Sequence, residues 1–117
     1  MTTSTANIRA GLQARKEGLP AQAFAIVGDA SDPATWKLPH HTQAIFRALK
    51  GRLDIERTVD WDRIAAAVAA LSPGGYRGRR VEATAQEILA AARHLAAHYQ
   101  KAGRELPPTL AEMVERR

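Results

Sequence analysis

The sequence predicts a mainly α-helical domain of about four to five helices, with an extended or coil segment near its N-terminus. Ala, Leu, Arg, Gln and Glu dominate the composition, and these residues favour helices. β-branched residues are sparse, and apolar side chains recur at helical spacing along much of the chain. A length of 117 residues fits one domain with one hydrophobic core. Because 24 of the residues are Ala, that core is expected to be thin.

The N-terminal part of the chain is expected to contain an arm followed by an extended segment. Residues 5–17 carry only a thin apolar stripe, formed by Ile8 and Leu12, so residues 1–20 are predicted to be either a helix or a flexible arm. Residues 24–39 begin with a short apolar run and pass through a cluster of Asp, Gly and Pro to a Trp. This pattern predicts ordered coil or a hairpin rather than a helix.

The main helical domain is predicted to cover residues 21–108, and a short C-terminal helix residues 109–117. Asp60 is a suitable N-cap for one predicted helix, and Thr84 with Glu87 forms a capping box for the longest one. Thr109 with Glu112 has the same capping-box spacing at the start of the C-terminal helix. Within the main domain, the predicted helices cover 42–51, 61–71 and 84–102.

Charge and the lack of Cys limit the possible function classes. The chain has 17 Lys and Arg against 12 Asp and Glu, and the net charge of +5 favours a polyanionic partner such as nucleic acid. Without Cys, disulfides, thiolate metal sites, iron–sulfur ligation and Cys nucleophiles are excluded. No long apolar run and no signal-peptide pattern occur, so we expect a soluble, cytoplasmic protein that makes no membrane contact.

The four histidines occur as two pairs and are the candidate metal ligands. His94 and His98 are four residues apart in a predicted helix and therefore share one face. Glu87 lies two turns before His94 on nearly the same stripe, and His40 or His41 would add a nitrogen if their loop folds over this helix. Such a set suits zinc or another divalent transition metal. The alternative is that the imidazoles make structural hydrogen bonds and that no cofactor is bound.

Signatures of common enzymes are missing from the sequence. The Gly-rich segment 74–78 lacks the Lys and Ser/Thr ending of a phosphate-binding loop, and no Gly-x-Ser-x-Gly elbow occurs. Asp29 with Asp32 fits a turn, and Asp60 beside Asp62 fits a helix cap, better than either fits a general acid/base pair. No catalytic residue is therefore predicted. The remaining enzymatic alternative is a His-based metal enzyme with Glu87 as ligand or general base.

Residues 76–80 hold the densest group of positive charges. Arg77, Arg79 and Arg80 could contact phosphates, and Tyr76 could stack on an exposed base. A mostly sequence-independent contact with nucleic acid is therefore an alternative function, although three arginines are also common on a solvated loop.

Large side chains in an Ala-rich chain are expected to fix how its elements meet. Residues 65–70 and 83–97 are rich in Ala, and small residues let helices approach closely. Since a second copy would also supply buried area to a thin core, we expect a homo-oligomer. The predicted structural anchors are Trp36, Leu38, Pro39, Trp61, Leu95 and Tyr99.

Several motifs, taken in order, resemble a small domain of tailed-phage and prophage head-morphogenesis proteins that is found in or beside prohead proteases. The motifs are Phe-Ala-Ile-Val-Gly-Asp at 24–29, Trp-Lys-Leu-Pro-His-His at 36–41, the Ala-rich stretch 64–71 with its Gly/Arg loop, His-Leu-Ala-Ala-His-Tyr at 94–99, and Gly-Arg-Glu-Leu-Pro-Pro at 103–108. The resemblance covers residues 24–108. It departs from the pattern in residues 43–58, which are more helical, and in the turn at 74–77.

This resemblance implies a phage-derived accessory domain rather than a protease, because no Ser/His catalytic set can be matched onto the chain. The sequence therefore predicts a non-enzymatic module that mediates protein–protein contacts in head assembly or maturation. Its expected partner is a phage-type protein.

Overall fold

A two-stranded antiparallel hairpin and four α-helices form the part of the chain that the computed structural model describes, residues 14–115. The strands are β1 (Phe24–Val27) and β2 (Trp36–Pro39). The helices are α1 (Ile45–Leu49), α2 (Trp61–Leu71), α3 (Ala85–Lys101) and α4 (Pro108–Glu115). Short 3-10 turns cover Ala21–Ala23, Pro33–Thr35 and Ile55–Thr58.

The hairpin forms because the apolar run of β1 alternates in burial and because Asp29 organises the connection to β2. Phe24 and Ile26 of β1 are buried. The Asp29 carboxylate accepts hydrogen bonds from the hydroxyl and the N–H of Ser31, and these two bonds lower the pKa of Asp29. The Asp29 carbonyl accepts the indole N–H of Trp36 at 2.8 Å, which holds this fully buried ring at the start of β2.

Side-chain caps set the starts of the two longest helices. Asp60 accepts the N–H of Arg63 at 3.3 Å and begins α2. Thr84 and Glu87 make both bonds of the predicted capping box at the start of α3, and this bonding lowers the pKa of Glu87. Both helices follow the predicted positions within one residue, because their caps and apolar stripes are local in sequence.

Apolar side chains form two clusters, and β1 contributes to both. The helical cluster includes Ile26 and is built mainly from α2, α3 and α4. The Trp36 cluster contains Phe24 of β1 and Ile45 of α1. The other buried members of the Trp36 cluster are Leu19, Ala23 and Trp36; those of the helical cluster are Val59, Ile64, Ala67, Val68, Leu71, Ala91, Ala92, Leu95, Ala96, Tyr99 and Leu110.

Three sequence-based expectations differ from the structure at element ends. The expected N-terminal helix lies mostly outside the described residues, and residues 14–17 are not helical, since 16–19 form a tight turn. The helix expected over 42–51 is limited to α1. The C-terminal helix starts at Pro108 rather than after Thr109, because Pro fits the first helical position. The segment 24–39 is a hydrogen-bonded hairpin, one of the two predicted alternatives, so the described fold is helical with a small β element.

Within residues 14–115, none of the helices combines the length and the apolar character needed to cross a membrane.

Candidate metal centre

All four histidines of the chain meet in one cluster, which we call the His cluster: His40, His41, His94 and His98. The ring centroid of His40 lies 4.5 Å from that of His41 and 5.0 Å from those of His94 and His98. The two helical rings are 4.9 Å apart, as expected for residues one turn apart on α3. The predicted approach of the two pairs is therefore what the structure contains.

Backbone hydrogen bonds tie the His40 and His41 segment to the rest of the fold. His40 donates its backbone N–H to Ala23 of the Trp36 cluster at 2.9 Å, and its carbonyl accepts the N–H of Asp60 at 2.8 Å. His41 forms an isolated bridge with Val59 of the helical cluster. The segment after β2 is thus anchored on both apolar clusters, while α3 brings the other two imidazoles.

The conformation of Leu38 directs His40 into the cluster. Leu38 has a φ of 65°, in the left-handed region that a residue with a side chain adopts at a cost of about 1–2 kcal/mol. Its carbonyl then accepts the Nδ1–H of His40 at 3.1 Å. Strain of this kind persists where surrounding contacts over-determine the backbone, and such places are often functional sites.

The hydrogen-bond acceptors around the cluster fix the tautomers of three histidines. The Leu38 carbonyl can only accept, so His40 carries its proton on Nδ1 and has a free lone pair on Nε2. The Glu56 carboxylate accepts from Nδ1 of His98 at 2.9 Å, so the same tautomer holds there. Both protons are therefore directed away from the centre of the cluster.

His41 has the same tautomer for a less direct reason. The Thr58 hydroxyl donates its hydrogen to the Ile55 carbonyl at 2.7 Å. That hydroxyl is then left as an acceptor toward Nδ1 of His41, 2.8 Å away. Hence His41 also keeps its lone pair on Nε2.

Ring nitrogens of the three buried histidines converge. One nitrogen from each of His40, His41 and His98 lies within 4.8 Å of the others, and the three residues are at most 5% exposed. Nε2 of His98 is buried and has no hydrogen-bond partner among residues 14–115. Native proteins satisfy nearly all buried polar atoms, so an unpartnered nitrogen facing other nitrogens indicates a ligand position.

Burial favours the neutral form of His40, His41 and His94. Desolvation lowers the pKa of His40 to about 3, and the neighbouring imidazoles lower it further against the opposing effect of the Leu38 carbonyl. Desolvation also lowers the pKa of His41 to about 4, with smaller contributions of the same sign from His98 and His94. The pKa of His94 is lowered by burial and by His98. Neutral imidazole is the form that binds a metal ion, so protons compete little at neutral pH.

His94 stands at the solvent-facing side of the cluster. His94 is exposed to solvent, whereas the other three histidines are buried. Its Nε2 lies 3.1 Å from Nε2 of His40, close to the separation of about 3.3 Å between two nitrogens on a tetrahedral zinc ion. Because His40 Nε2 has a lone pair, His94 donates this hydrogen bond. His94 thus lies against His40, and its nitrogens are outside the group of three that lie within 4.8 Å of one another.

The structure does not bring Glu87 to the His cluster. Its carboxylate accepts the N–H of Thr84 at 2.9 Å in the capping box, and it stands two turns, or about 10 Å, before His94 along α3. Helical spacing correctly places it on a similar stripe, but the axial distance is too long for a shared ion.

Sequence reasoning missed the residues that orient the ligands. Glu56 and Thr58 lie on the 3-10 turn between α1 and α2, and the Leu38 carbonyl belongs to β2. Glu56 is 42 residues from His98 in the chain, so nothing in the local pattern links the two. The only available signal was chemical, since a metal-binding His commonly donates its second ring N–H to a carboxylate or a carbonyl.

The remaining predicted residues lie away from these contacts or support the cores. Tyr76, Arg77, Arg79 and Arg80 are exposed on the loop between α2 and α3. Trp61 is half-buried, stacks edge-on against Tyr99 at 5.0 Å and carries the Arg104 guanidinium over its ring. Trp36, Leu95 and Tyr99 are buried anchors, and Leu38 and Pro39 are half-buried.

Comparison of the chain with protein-family models, with curated proteins and with solved structures finds no match.

Proposed function

We propose that this chain is a non-enzymatic module whose fold is held by one divalent transition-metal ion bound in the His cluster. The observation that carries this proposal is the convergence of one ring nitrogen each from His40, His41 and His98, while an acceptor at Nδ1 of each ring leaves Nε2 as the nitrogen with the lone pair. Outer acceptors of this kind are the usual support of a His metal ligand, because they fix its tautomer and raise its basicity.

The donor set favours zinc or a neighbouring late first-row ion. Neutral imidazole nitrogens suit Zn²⁺, Cu²⁺, Ni²⁺ and Co²⁺, whereas Mg²⁺ and Ca²⁺ prefer oxygen ligands. If His94 turned its Nε2 toward the three converging nitrogens as the fourth ligand, a tetrahedral shell would be closed and no position would be left for a substrate. The proposal therefore assigns the ion a structural role, in line with the accessory, protein-contact role that the phage resemblance implies.

Metal analysis of the purified protein tests this proposal. After loading with Zn²⁺ and removal of unbound ion, the wild-type chain is expected to retain one equivalent, and Co²⁺ in its place should give the visible absorption of a tetrahedral nitrogen site. Well under one equivalent would reject the proposal. Since the four histidines of the cluster are the only ones in the chain, no other imidazole can account for retained ion.

A pair of variants on α3 separates the site from general helix effects. His98→Gln removes the unpartnered nitrogen and is expected to weaken binding by about 100-fold or more. Gln100→Ala changes an exposed position two residues away and should leave the affinity as it is. Equal affinities for the two variants would contradict the proposed ligand set, provided that circular dichroism shows both to be folded.

A further inference from the structure

The loop between α2 and α3 is a tight β-turn that presents arginines to solvent. The backbone N–H and C=O of Tyr76 and Arg79 bond reciprocally at 2.9 and 3.0 Å, so Arg77 and Gly78 are the two central residues. Their φ values are 53° and 80°, the left-handed pair of a type I′ turn. We call residues 76–80 the basic turn. Its aromatic ring and its three Arg side chains are exposed.

The residue at the first central position is unfavourable for this turn. Type I′ turns strongly prefer Asn, Asp or Gly there, because other side chains are strained in the left-handed region. The chain carries Arg77 instead, followed by the favoured Gly78. The same pair of positive φ values occurs at Glu17 and Gly18 in the turn 16–19, so the distinctive feature of the basic turn is the exposed guanidinium at its tip rather than the strain.

The arrangement of the turn matches a ligand that is both aromatic and anionic. The Arg77 guanidinium lies over the Tyr76 ring, 5.3 Å from its centroid. Arg80 donates its Nε–H to the Leu71 carbonyl at 3.0 Å, which fixes the stem of that side chain. The turn thus carries an exposed ring with guanidinium groups on the same five residues, and Arg pairs well with phosphate oxygens.

Beside the turn, the Tyr76 side chain lines a groove of about 290 Å³. The floor of the groove is apolar, and Arg63 and Glu17 balance each other in charge at its sides. Positive charge is therefore concentrated on the turn rather than in the groove. The apolar lining residues are Leu38, Pro39, Ala66, Ala67 and Ala70. A cavity of this size and lining fits a single flat base better than a larger ligand.

We propose that the basic turn and the adjacent groove form a binding site for single-stranded nucleic acid. Tyr76 stacks on an unpaired base that enters the groove, and Arg77 and Arg79 contact the flanking phosphates. Single strands are favoured over duplexes because stacking requires an exposed base face. The site contains none of the four histidines and needs no metal ion for its chemistry, but its groove shares Leu38 with the support of His40.

Fluorescence anisotropy with a labelled mixed-sequence DNA strand of about 20 nucleotides, at about 50 mM salt, tests this site. The wild-type chain should bind the single strand more tightly than the duplex of the same sequence. The double variant Arg77→Ala, Arg79→Ala is expected to lose about tenfold or more in affinity and to have a shallower salt dependence, by about 0.7 for each lost phosphate contact. Failure of the wild-type chain to bind any single strand would overturn the proposal.

The control double variant removes the same charge elsewhere. Arg47→Ala with Arg52→Ala changes two exposed arginines near α1 and should cost less than about twofold in affinity. Tyr76→Leu retains apolar bulk without the ring and should weaken binding by at least about fivefold. An equal loss in both double variants, or no effect of Tyr76→Leu, would reduce the contact to general charge attraction and contradict the proposed site.

Arg77→Asn separates binding from folding. Asn suits the left-handed position before Gly78, so this variant is expected to raise the melting temperature by a few degrees while it weakens single-strand binding. If Arg77 had a purely structural role, the variant would lower the melting temperature and leave single-strand binding unchanged. Polyglutamate as a competitor distinguishes nucleic acid from other polyanions, since it offers negative charge but no base to stack.

Discussion

Each buried imidazole of the His cluster depends on one acceptor for its orientation. The carboxylate of Glu56 has the strongest effect of these acceptors, because a charged partner forms a stronger hydrogen bond than a carbonyl or a hydroxyl. The second oxygen of the Glu56 carboxylate also forms a loose ion pair with Nζ of the exposed Lys101, at 3.8 Å. The orientation of the His98 ring therefore depends on a residue that contacts no ion itself.

Glu56→Gln is expected to lower the affinity for Zn²⁺ by about 10- to 100-fold, because the amide is a weaker acceptor and no longer polarises the imidazole. Competition titration against a chromophoric chelator measures the change. Glu105→Gln makes the same chemical change at an exposed carboxylate and should have no effect on the affinity. Equal affinities of wild type and Glu56→Gln would show that His98 is not a ligand in the proposed tautomer.

Thr58→Val tests the acceptor of His41 at nearly constant volume. The variant leaves the buried Nδ1–H of His41 without its partner, so we expect the metal-free protein to lose about 1–3 kcal/mol of stability. Urea unfolding in the presence of a chelator measures this loss. Thr42→Val alters an exposed threonine next to His41 and should change the stability by less than about 0.5 kcal/mol. A loss as small for Thr58→Val would show that the hydroxyl does not hold the ring.

At the scale of single elements, the local signals in the sequence predicted the two longest helices to within one residue. Asp60 and the pair of Thr84 and Glu87 mark the starts of α2 and α3, because a cap acts on backbone groups three residues away. The left-handed Leu38 could not be predicted, since its conformation is imposed by contacts of the following histidines with distant segments. The same holds for Glu56, which reaches the cluster only in the folded chain.

The capping box also separates two roles that the sequence left open for Glu87. The Glu87 carboxylate bonds to Thr84 rather than to the His cluster. Glu87→Gln keeps a side chain that can cap α3, so the Zn²⁺ stoichiometry and affinity should be unchanged. Thr84→Ala, which removes the cap, should cost about 1 kcal/mol of stability without changing metal content. Both are measured by thermal unfolding and metal analysis. Loss of bound ion in Glu87→Gln would restore it as a ligand.

For the whole molecule, the thin core and the His cluster are linked. Two separate apolar clusters share β1, and neither is large, since many of their members are Ala. Small domains with limited cores commonly gain stability from a disulfide or a metal ion. This chain has no Cys, so imidazoles are the ligands left for such an ion. The ion would connect α3 to the segment after β2, which bonds to both clusters.

In the presence of a chelator, the free energy of unfolding of the metal-free protein is expected to fall as the pH decreases below about 6.5. The folded pKa values of His40 and His41, about 3 and about 4, lie below that of an unfolded histidine. Between these values the unfolded chain binds protons that the folded chain does not. The stabilising contribution of neutral, buried imidazoles is therefore complete above pH 6.5 and decreases toward pH 4, by roughly 1.4 kcal/mol per histidine and pH unit.

Urea unfolding at a series of pH values between about 7 and 5 measures this slope before unfolded carboxylates begin to titrate. His41→Phe removes one of the three rings whose pKa is lowered by burial while keeping an aromatic side chain, so its slope should be shallower than that of the wild type, whatever its stability at neutral pH. Saturating Zn²⁺ should steepen the wild-type dependence, because protons then also compete with the ion for Nε2. A stability that stays constant or rises on acidification in the chelator would show that the buried imidazoles are protonated in the folded state, and lone pairs would then be unavailable for an ion.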